Sequence, residues 1–372
     1  MKVFHVLPQF HYINERTIIG GYPSAVARLA AAQAAQGLDV EIVSRMPKSA
    51  KNRFAGVELS NLEVIDATSH RHPLRFARKV STFLRSRIKT GDVIHFHSGH
   101  AEYAIVSAAI ASLSGISVVH TLYCPLLSGA RGFLQKSAIA LASARGVSFS
   151  GMSKNICNSI PVPSTWTPPV IDYEYLSPAP DNRTGCQLLF VGNATPSKGL
   201  ADLLPAFIDL TASLKNNEGL RLVVTTELAR TNERSELNDV LDKLGNSPAL
   251  SRISWSSIVP DMRELLGNSD IHVAPFRTTN GPSDYFMSTL EAMAMGKVCV
   301  VSDLPGMAEV ITDGENGFSF RTGDSADLER ALLRAIDSDR DAIGERSRDF
   351  VVQTFGQSAV DSTNQLYGDR NA

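Results

Sequence analysis

Short apolar runs alternate along this chain with stretches of helical length. Runs of strand character stand at 2–7, 39–44, 62–66, 92–96, 116–121 and 147–150, and their length and continuity suit strands buried on both faces. Helix-like stretches lie between them; Ala25 to Gln36 is Ala-rich and closes at Gly37, where a helix can end in the left-handed region. Residues 161–184 break the rhythm with six prolines, at 161, 163, 168, 169, 178 and 180, a density that reads as a linker. The pattern restarts at 187–191, with further strands at 220–225, 251–255, 270–274 and 298–301. Strand and helix alternating twice over predict an α/β protein of two Rossmann-like domains, each with a parallel sheet covered on both faces. The boundaries fall at 1–165 and 185–349, with a tail, 350–372, that packs back on the first domain.

One stretch carries the clearest chemical signal. Pro282, Ser283 and Asp284 are turn formers, Tyr285 to Met295 contains neither Gly nor Pro, and Gly296 stops it. That is a predicted helix with its N-terminus at Tyr285. Val298 to Val301 then reads as a buried strand, followed by a turn at Asp303, Pro305 and Gly306. A helix N-terminus presents unbonded N–H groups and a positive dipole end, so the backbone of Tyr285, Phe286, Met287, Ser288 and Thr289 suits a phosphate. Glu291, about two turns in, can accept hydrogen bonds from sugar or ribose hydroxyls. An ordinary α/β turn with a surface Glu fits the same spacing. Gly20 and Gly21, after the first strand and before a helix, allow a ligand close to the backbone or simply make a flexible turn.

Composition narrows the class. The chain of 372 residues is 43% apolar and 20% charged, ordinary for globular domains. Four cysteines, 124, 157, 186 and 299, have no metal-ligand spacing and read as reduced core thiols. The first strand begins at once, and no apolar run reaches membrane-spanning length, so a cytoplasmic protein is expected. The net charge of −2 hides an asymmetry: residues 1–165 hold 18 Lys and Arg against 8 Asp and Glu, and the remainder 18 against 30. The basic half is expected to meet something anionic, and no nucleic acid is among the expected partners. Within it, 71–89 forms an amphipathic stretch. Leu74, Val80, Phe83, Leu84 and Ile88 share a face among Arg71, Arg75, Arg78, Lys79, Arg85, Arg87 and Lys89, a pattern that suits a sheet-packed helix, an anionic membrane surface, or both.

Three histidines, 95, 97 and 100, cluster at one strand end without a carboxylate partner. One of them lining a ligand cleft is the preferred reading, and no metal is expected. Asp337 and Asp339 read as solvated surface. No G-x-G-x-x-G follows the first strand, which argues against a dinucleotide-dependent oxidoreductase.

The stretch from Ser283 to Gly296 resembles the donor-binding signature of the retaining family 4 glycosyltransferases (glycosyl transferases group 1), in which an acidic residue, seven others and a Glu precede A-M-A-x-G. Glu291 matches the second acid; Ser283 stands at the first place, with Asp284 beside it. His120-Thr121-Leu122-Tyr123 resembles the H-T-x-H run, with Tyr123 where the family has a His by the reacting sugar. Pro168 to Asp172 resembles the segment that opens the second domain. Phe190-Val191-Gly192-Asn193 with Lys198-Gly199 resembles F-V-G-R…K-G, with Asn193 in place of the Arg. Ser302-Asp303, Gly306 to Glu309, Gly314 and Gly317-Phe318 complete the pattern.

The resemblance implies a GT-B fold, its two parallel sheets facing a central cleft, and transfer with retention from a nucleotide-diphosphate sugar to a saccharide or lipid-linked saccharide acceptor. No further cofactor is implied. It also implies an acceptor-binding first domain, a donor-binding second domain, and work at the inner face of the cell membrane. Lys198, Glu291, Tyr123 and His97 would be catalytic. Gly20, Gly21, Asn193, Ser283, Asp284 and 285–289 would hold the donor. A non-catalytic nucleotide-sugar-binding protein and a nucleotide-sugar epimerase are the alternatives.

Overall fold

The first apolar run forms strand β1 (Lys2–Leu7), buried from Val3 onward. In this computed structural model the described residues are 1–14, 17–48, 50–64, 73–111, 115–178, 185–214, 219–226, 235–245, 247–256, 261–279 and 283–368. They form two units, one of residues 1–170, 280–284 and 354–372, the other of 171–279 and 285–353.

In the first unit β1 is followed by the hairpin β2 (Tyr12–Asn14) and β3 (Thr17–Ile18), α1 (Gly21–Ala35), β4 (Asp39–Met46), β5 (Arg53–Phe54), β6 (Val57–Val64) and α2 (Pro73–Arg85). Then come β7 (Val93–Ser98), α3 (Ala104–Ala111), β8 (Ser117–Leu122), α4 (Gly129–Ala144), β9 (Val147–Gly151), α5 (Lys154–Ser159) and β10 (Ser164–Trp166). The main sheet runs β10-β9-β8-β7-β1-β4-β6-β5. All its pairs are parallel except β5 with β6. Strand β6 begins at Val57, five residues before the predicted run, because Glu58 to Ser60 pair with Glu41 to Val43 of β4 despite their polar members. Residues 65–66 of that run lie outside the described residues.

The second unit contains β11 (Cys186–Val191), α6 (Leu200–Ser213), β12 (Leu220–Thr225), α7 (Ser235–Leu244), β13 (Ile253–Ser256), α8 (Met262–Gly267) and β14 (Ile271–Ala274). It continues with α9 (Met287–Ala294), β15 (Val298–Ser302), β16 (Phe318–Phe320), α10 (Ser325–Asp337) and α11 (Arg340–Phe355). Its sheet, β13-β12-β11-β14-β15-β16, is parallel throughout. In both units the first strand has the second on one side and a later crossover strand on the other. That is the doubly wound order, in which ligands bind outside the carboxyl ends of the strands where the order reverses.

Local chemistry sets several helix ends. Ser153 accepts from the Ile156 N–H at α5, Asp261 from Arg263 at α8 and Asp324 from Asp327 at α10, each satisfying a donor of the first turn. The last helix, α12 (Gln357–Gly368), returns to the first unit. Its Tyr367 packs with Val3, Val93 and Val119, and its Ala359 and Val360 with Leu29 and Val170. Among the described residues no helix is long and apolar enough to cross a membrane.

Candidate functional site

In the second unit, two loops meet where the strand order reverses. The loop after β11 makes a single 3₁₀ turn, Pro196–Lys198, closed by Gly199 at φ 68°. A Cβ on Gly199 would stand 1.7 Å from the Pro275 carbonyl oxygen, so only glycine lets this loop lie against the one that follows β14. The Arg277 N–H donates to the Ser197 carbonyl at 2.9 Å, and the Arg277 guanidinium forks onto Asp202 with two 2.6 Å bonds. That planar bidentate pair fixes the approach of the two loops. Lys198 is thereby set with its Nζ 3.7 Å from the centroid of the Phe276 ring, and Phe276 packs in turn at a tilt on Phe286, ring centroids 4.2 Å apart. The ring face attracts the ammonium and holds it at the end of this loop. Asn193 is exposed in the same loop.

Helix α9 begins at Met287, two residues later than its composition suggests. Tyr285 and Phe286 are both buried and are drawn off the helix axis by specific partners. The Tyr285 hydroxyl donates to Glu309 at 2.5 Å, and the Phe286 N–H points at the Met307 sulfur at 3.5 Å. The phosphate-facing backbone expected at 285–289 is therefore narrowed to the start of α9, because Thr289 N–H bonds back to the Phe286 carbonyl. Ser288 stands 3.3 Å from His272, and Thr289 is buried. Glu291 is one turn from the helix start rather than two, and only 5% exposed.

Ser283 is half-buried. Asp284, fully buried, belongs to the first unit: its N–H donates to the Tyr123 carbonyl at 3.0 Å, and its carboxylate accepts from the Ser153 hydroxyl and from Asn155 Nδ2 at 3.1 and 3.3 Å. Two side chains of the first unit thus hold the Asp284 carboxylate in place. Gly20, at φ 99°, caps α1, and Gly21 is its first residue, so this pair does stand at a helix N-terminus.

His97 and Tyr123 are brought together, but as partners of each other. Both are buried, and the Tyr123 hydroxyl lies 3.1 Å from His97 Nδ1. His97 Nε2 is 2.8 Å from His5 Nδ1, and His5 Nε2 is 2.7 Å from Gln33 Oε1. An amide oxygen can only accept, so His5 carries its proton on Nε2, His97 donates to His5, and Tyr123 donates to His97. Gln33 donates onward to Asn364 and Tyr367, the Tyr367 hydroxyl lies 2.7 Å from His95 Nδ1, and His95 Nε2 meets Thr121 at 2.6 Å. Burial holds every ring neutral: His5 is pushed down to about 4, and His95 and His97 well below the ordinary imidazole range. Burial also raises the Tyr123 phenol, which cannot serve as a base there. His5, His95 and His97 each offer a nitrogen within 4.8 Å of the others, yet all six ring nitrogens have side-chain partners. The adjoining cavity, lined by His95, Thr121, Tyr123 and Thr167, holds about 10 Å³, too little for a sugar. In this geometry His97 and Tyr123 are hydrogen-bonded to each other within the sheet. His100 is exposed just beyond it.

The basic stretch is only partly as expected. Residues 71–72 lie outside the described ones. Phe76, Val80 and Leu84 of α2 are buried against the unit, while Arg75 and Lys79 both pair with Glu63, at 2.9 and 3.2 Å, and Arg87 with Glu41 at 3.1 Å.

Two family models match: "Glycosyl transferase 4-like domain" over residues 20–149 and "Glycosyl transferases group 1" over 185–338. The chain belongs to the group 1, family 4, glycosyltransferases, and its fold is GT-B. A phosphatidyl-myo-inositol mannosyltransferase of Propionibacterium freudenreichii is 41% identical over 85 residues, 22% of each chain. The chain spans only 22% to 45% of the first three curated relatives it matches. A GDP-mannose:cellobiosyl-diphosphopolyprenol alpha-mannosyltransferase of Xanthomonas campestris matches at 24% identity over 92% of this chain and 90% of its own. Among solved structures, Anabaena HepE in complex with UDP superposes with a TM-score of 0.75 at 14% identity, covering 99% of both chains. That likeness speaks for the fold.

Proposed function

We propose that the protein is a retaining glycosyltransferase that moves a sugar from a nucleotide-diphosphate sugar to a saccharide or lipid-linked saccharide acceptor. The observation that carries this reading is Lys198 held over Phe276 at the reversal point of the second sheet, with α9 and Glu291 in the same unit. The second unit takes the donor and the basic first unit the acceptor. Lys198 and the N–H groups at the start of α9 neutralise the diphosphate, and Glu291 accepts from a ribose hydroxyl. As the bond from the sugar's anomeric carbon to the diphosphate breaks, a new one forms to the acceptor oxygen on the same face. The acceptor's proton passes to the departing phosphate oxygen. Charge grows on that phosphate, so donors already in place contribute most to the rate. Two relatives have names that specify lipid acceptors, a phosphatidylinositol and a diphosphopolyprenol, which favours a lipid-linked acceptor and work at an anionic inner membrane face.

Asn193 in place of Arg and the Asp284 carboxylate held within the first unit favour a second reading, a non-catalytic nucleotide-sugar binder. One experiment separates the two. Product formation is measured over a donor panel for the wild type and Lys198→Ala, with nucleoside diphosphate affinity by calorimetry for both and for Glu291→Ala. Lys198→Ala is expected to cut turnover by tens-fold or more, about 2–4 kcal/mol, and Glu291→Ala to weaken nucleotide binding. Binding without product from any donor would leave the second reading standing; unchanged turnover would remove Lys198 from the site.

A further inference from the structure

Helix α4 packs one side against α3 and β9, burying Gln135, Ala138, Ile139 and Ala142. Its outer side is not polar. Among the described residues six large apolar side chains are exposed, and three stand on this helix: Phe133 at 71%, Leu134 at 65% and Leu141 at 48%. A fourth, Ile105 at 47%, is on α3 beside it. At 3.6 residues per turn, Phe133, Leu134, Ser137, Ala140, Leu141 and Ala144 share the outward face. The same register puts Arg145 along one edge of that face and Lys136 along the other, both exposed. No Asp or Glu occurs in the chain between Glu102 and Asp172. The helix is also firmly set, because Gly132 lies so close to the Leu127 carbonyl that a Cβ would come within 1.9 Å of its oxygen. That contact fixes the first turn and with it the outward aim of Phe133.

An apolar stripe edged by cations on both sides is the arrangement of a helix that lies in a bilayer interface, its apolar side chains at the acyl boundary and its cations among lipid phosphates. Helix α2 is less suited, since three of the six cations from Arg75 to Lys89 are already paired with glutamates. We infer that the outer face of α4 docks the protein on an anionic lipid bilayer, with Phe133 and Leu134 entering the interface and Lys136 and Arg145 meeting lipid phosphates. The inference rests on the lipid-linked reading of the acceptor for its purpose, but its test does not depend on catalysis.

That test is flotation of the full chain with vesicles of phosphatidylglycerol and phosphatidylethanolamine, and with phosphatidylcholine alone, at low salt. The wild type is expected to float with the first and not the second. The double variant Phe133→Ser, Leu134→Ser, which changes only exposed side chains, is expected to lose about tenfold or more of its vesicle binding while keeping its melting temperature. Phe133→Trp should shift its emission to the blue with anionic vesicles only. A wild type that never floats, or a double variant that floats as well as the wild type, overturns the inference. So does a wild-type dimer that the double variant converts to monomer without change in flotation, since the face would then pair two copies. Thermal shift with a nucleoside diphosphate, run on the same samples, reports the donor site. Failure of the enzyme reading would appear there and leave flotation untouched.

Discussion

Gly199 shows how much a single position sets in the candidate site. Its left-handed backbone disfavours any L side chain by about 1–2 kcal/mol, and the Pro275 carbonyl leaves no room for a Cβ. Gly245 also has a positive φ, 54°, but nothing within 4 Å of a Cβ. Gly199→Ala is therefore expected to lower the melting temperature well beyond Gly245→Ala, and to weaken nucleoside diphosphate binding where the control does not. Equal effects in calorimetry and thermal melts would mean that the loop contact with Pro275 does not set the Lys198 position. The sequence marked Lys198 and Gly199 by their resemblance to a known run. Phe276, Arg277 and Asp202 carried no comparable signal. Their part depends on two loops about 80 residues apart meeting, which no local spacing can express.

Among elements, α12 is the one whose placement depends most on polar chemistry. Tyr367 accepts from Gln33 and is hydrogen-bonded to His95, inside a core of Val3, Val93 and Val119. Tyr367→Phe removes the hydroxyl and strands both partners, a loss of about 1–3 kcal/mol for buried groups left unsatisfied. Denaturant unfolding should show that loss, and amide exchange should rise in α12 before the strands; unchanged stability would mean that the hydroxyl is dispensable. The predicted strands at 2–7 and 220–225 match β1 and β12 in both limits, since their apolar character and the flanking Pro8 and Gly219 act locally. Strand β16, with three residues, and the late start of α9 were not legible, because partners elsewhere in the unit set them: Val300 to Ser302 for the strand, Glu309 and Met307 for the helix.

For the whole molecule, the buried histidines are shared unevenly. The first unit holds His5, His95, His97 and His120, and the second His272; burial depresses all five, His120 to about 3 and His272 to about 4. Unfolded, each titrates near 6.5. Above that pH neither state takes up these protons. Below it the unfolded chain does and the folded chain does not, so stability falls with pH until the folded values are reached. Each group contributes a slope of about 1.4 kcal/mol per pH unit in that window. Between pH 6.5 and 4 the first unit should lose stability several times more steeply than the second. The two tryptophans allow the measurement: Trp166 reports the first unit and Trp255 the second, so Trp255→Phe and Trp166→Phe separate the two melts. Melts that move in parallel on acidification would contradict the neutral, buried assignment.

The sequence by itself determined that there are two doubly wound α/β halves, and it carried the group 1 glycosyltransferase signature around Lys198 and Glu291. Apolar runs, Ala-rich helices and turn formers are properties of neighbours in the chain, and folding by burial preserves them. Tertiary structure alone decided which buried polar groups meet. Tyr123, His97 and Asp284 stood among the candidates for chemistry, and each is hydrogen-bonded inside the first unit, because a polar group removed from water has to be paired. The exposed ridge of α4 has the same origin. Phe133, Leu134 and Leu141 could each have been core by composition, and only the packing of Ala138, Ile139 and Ala142 against the first unit turned them outward.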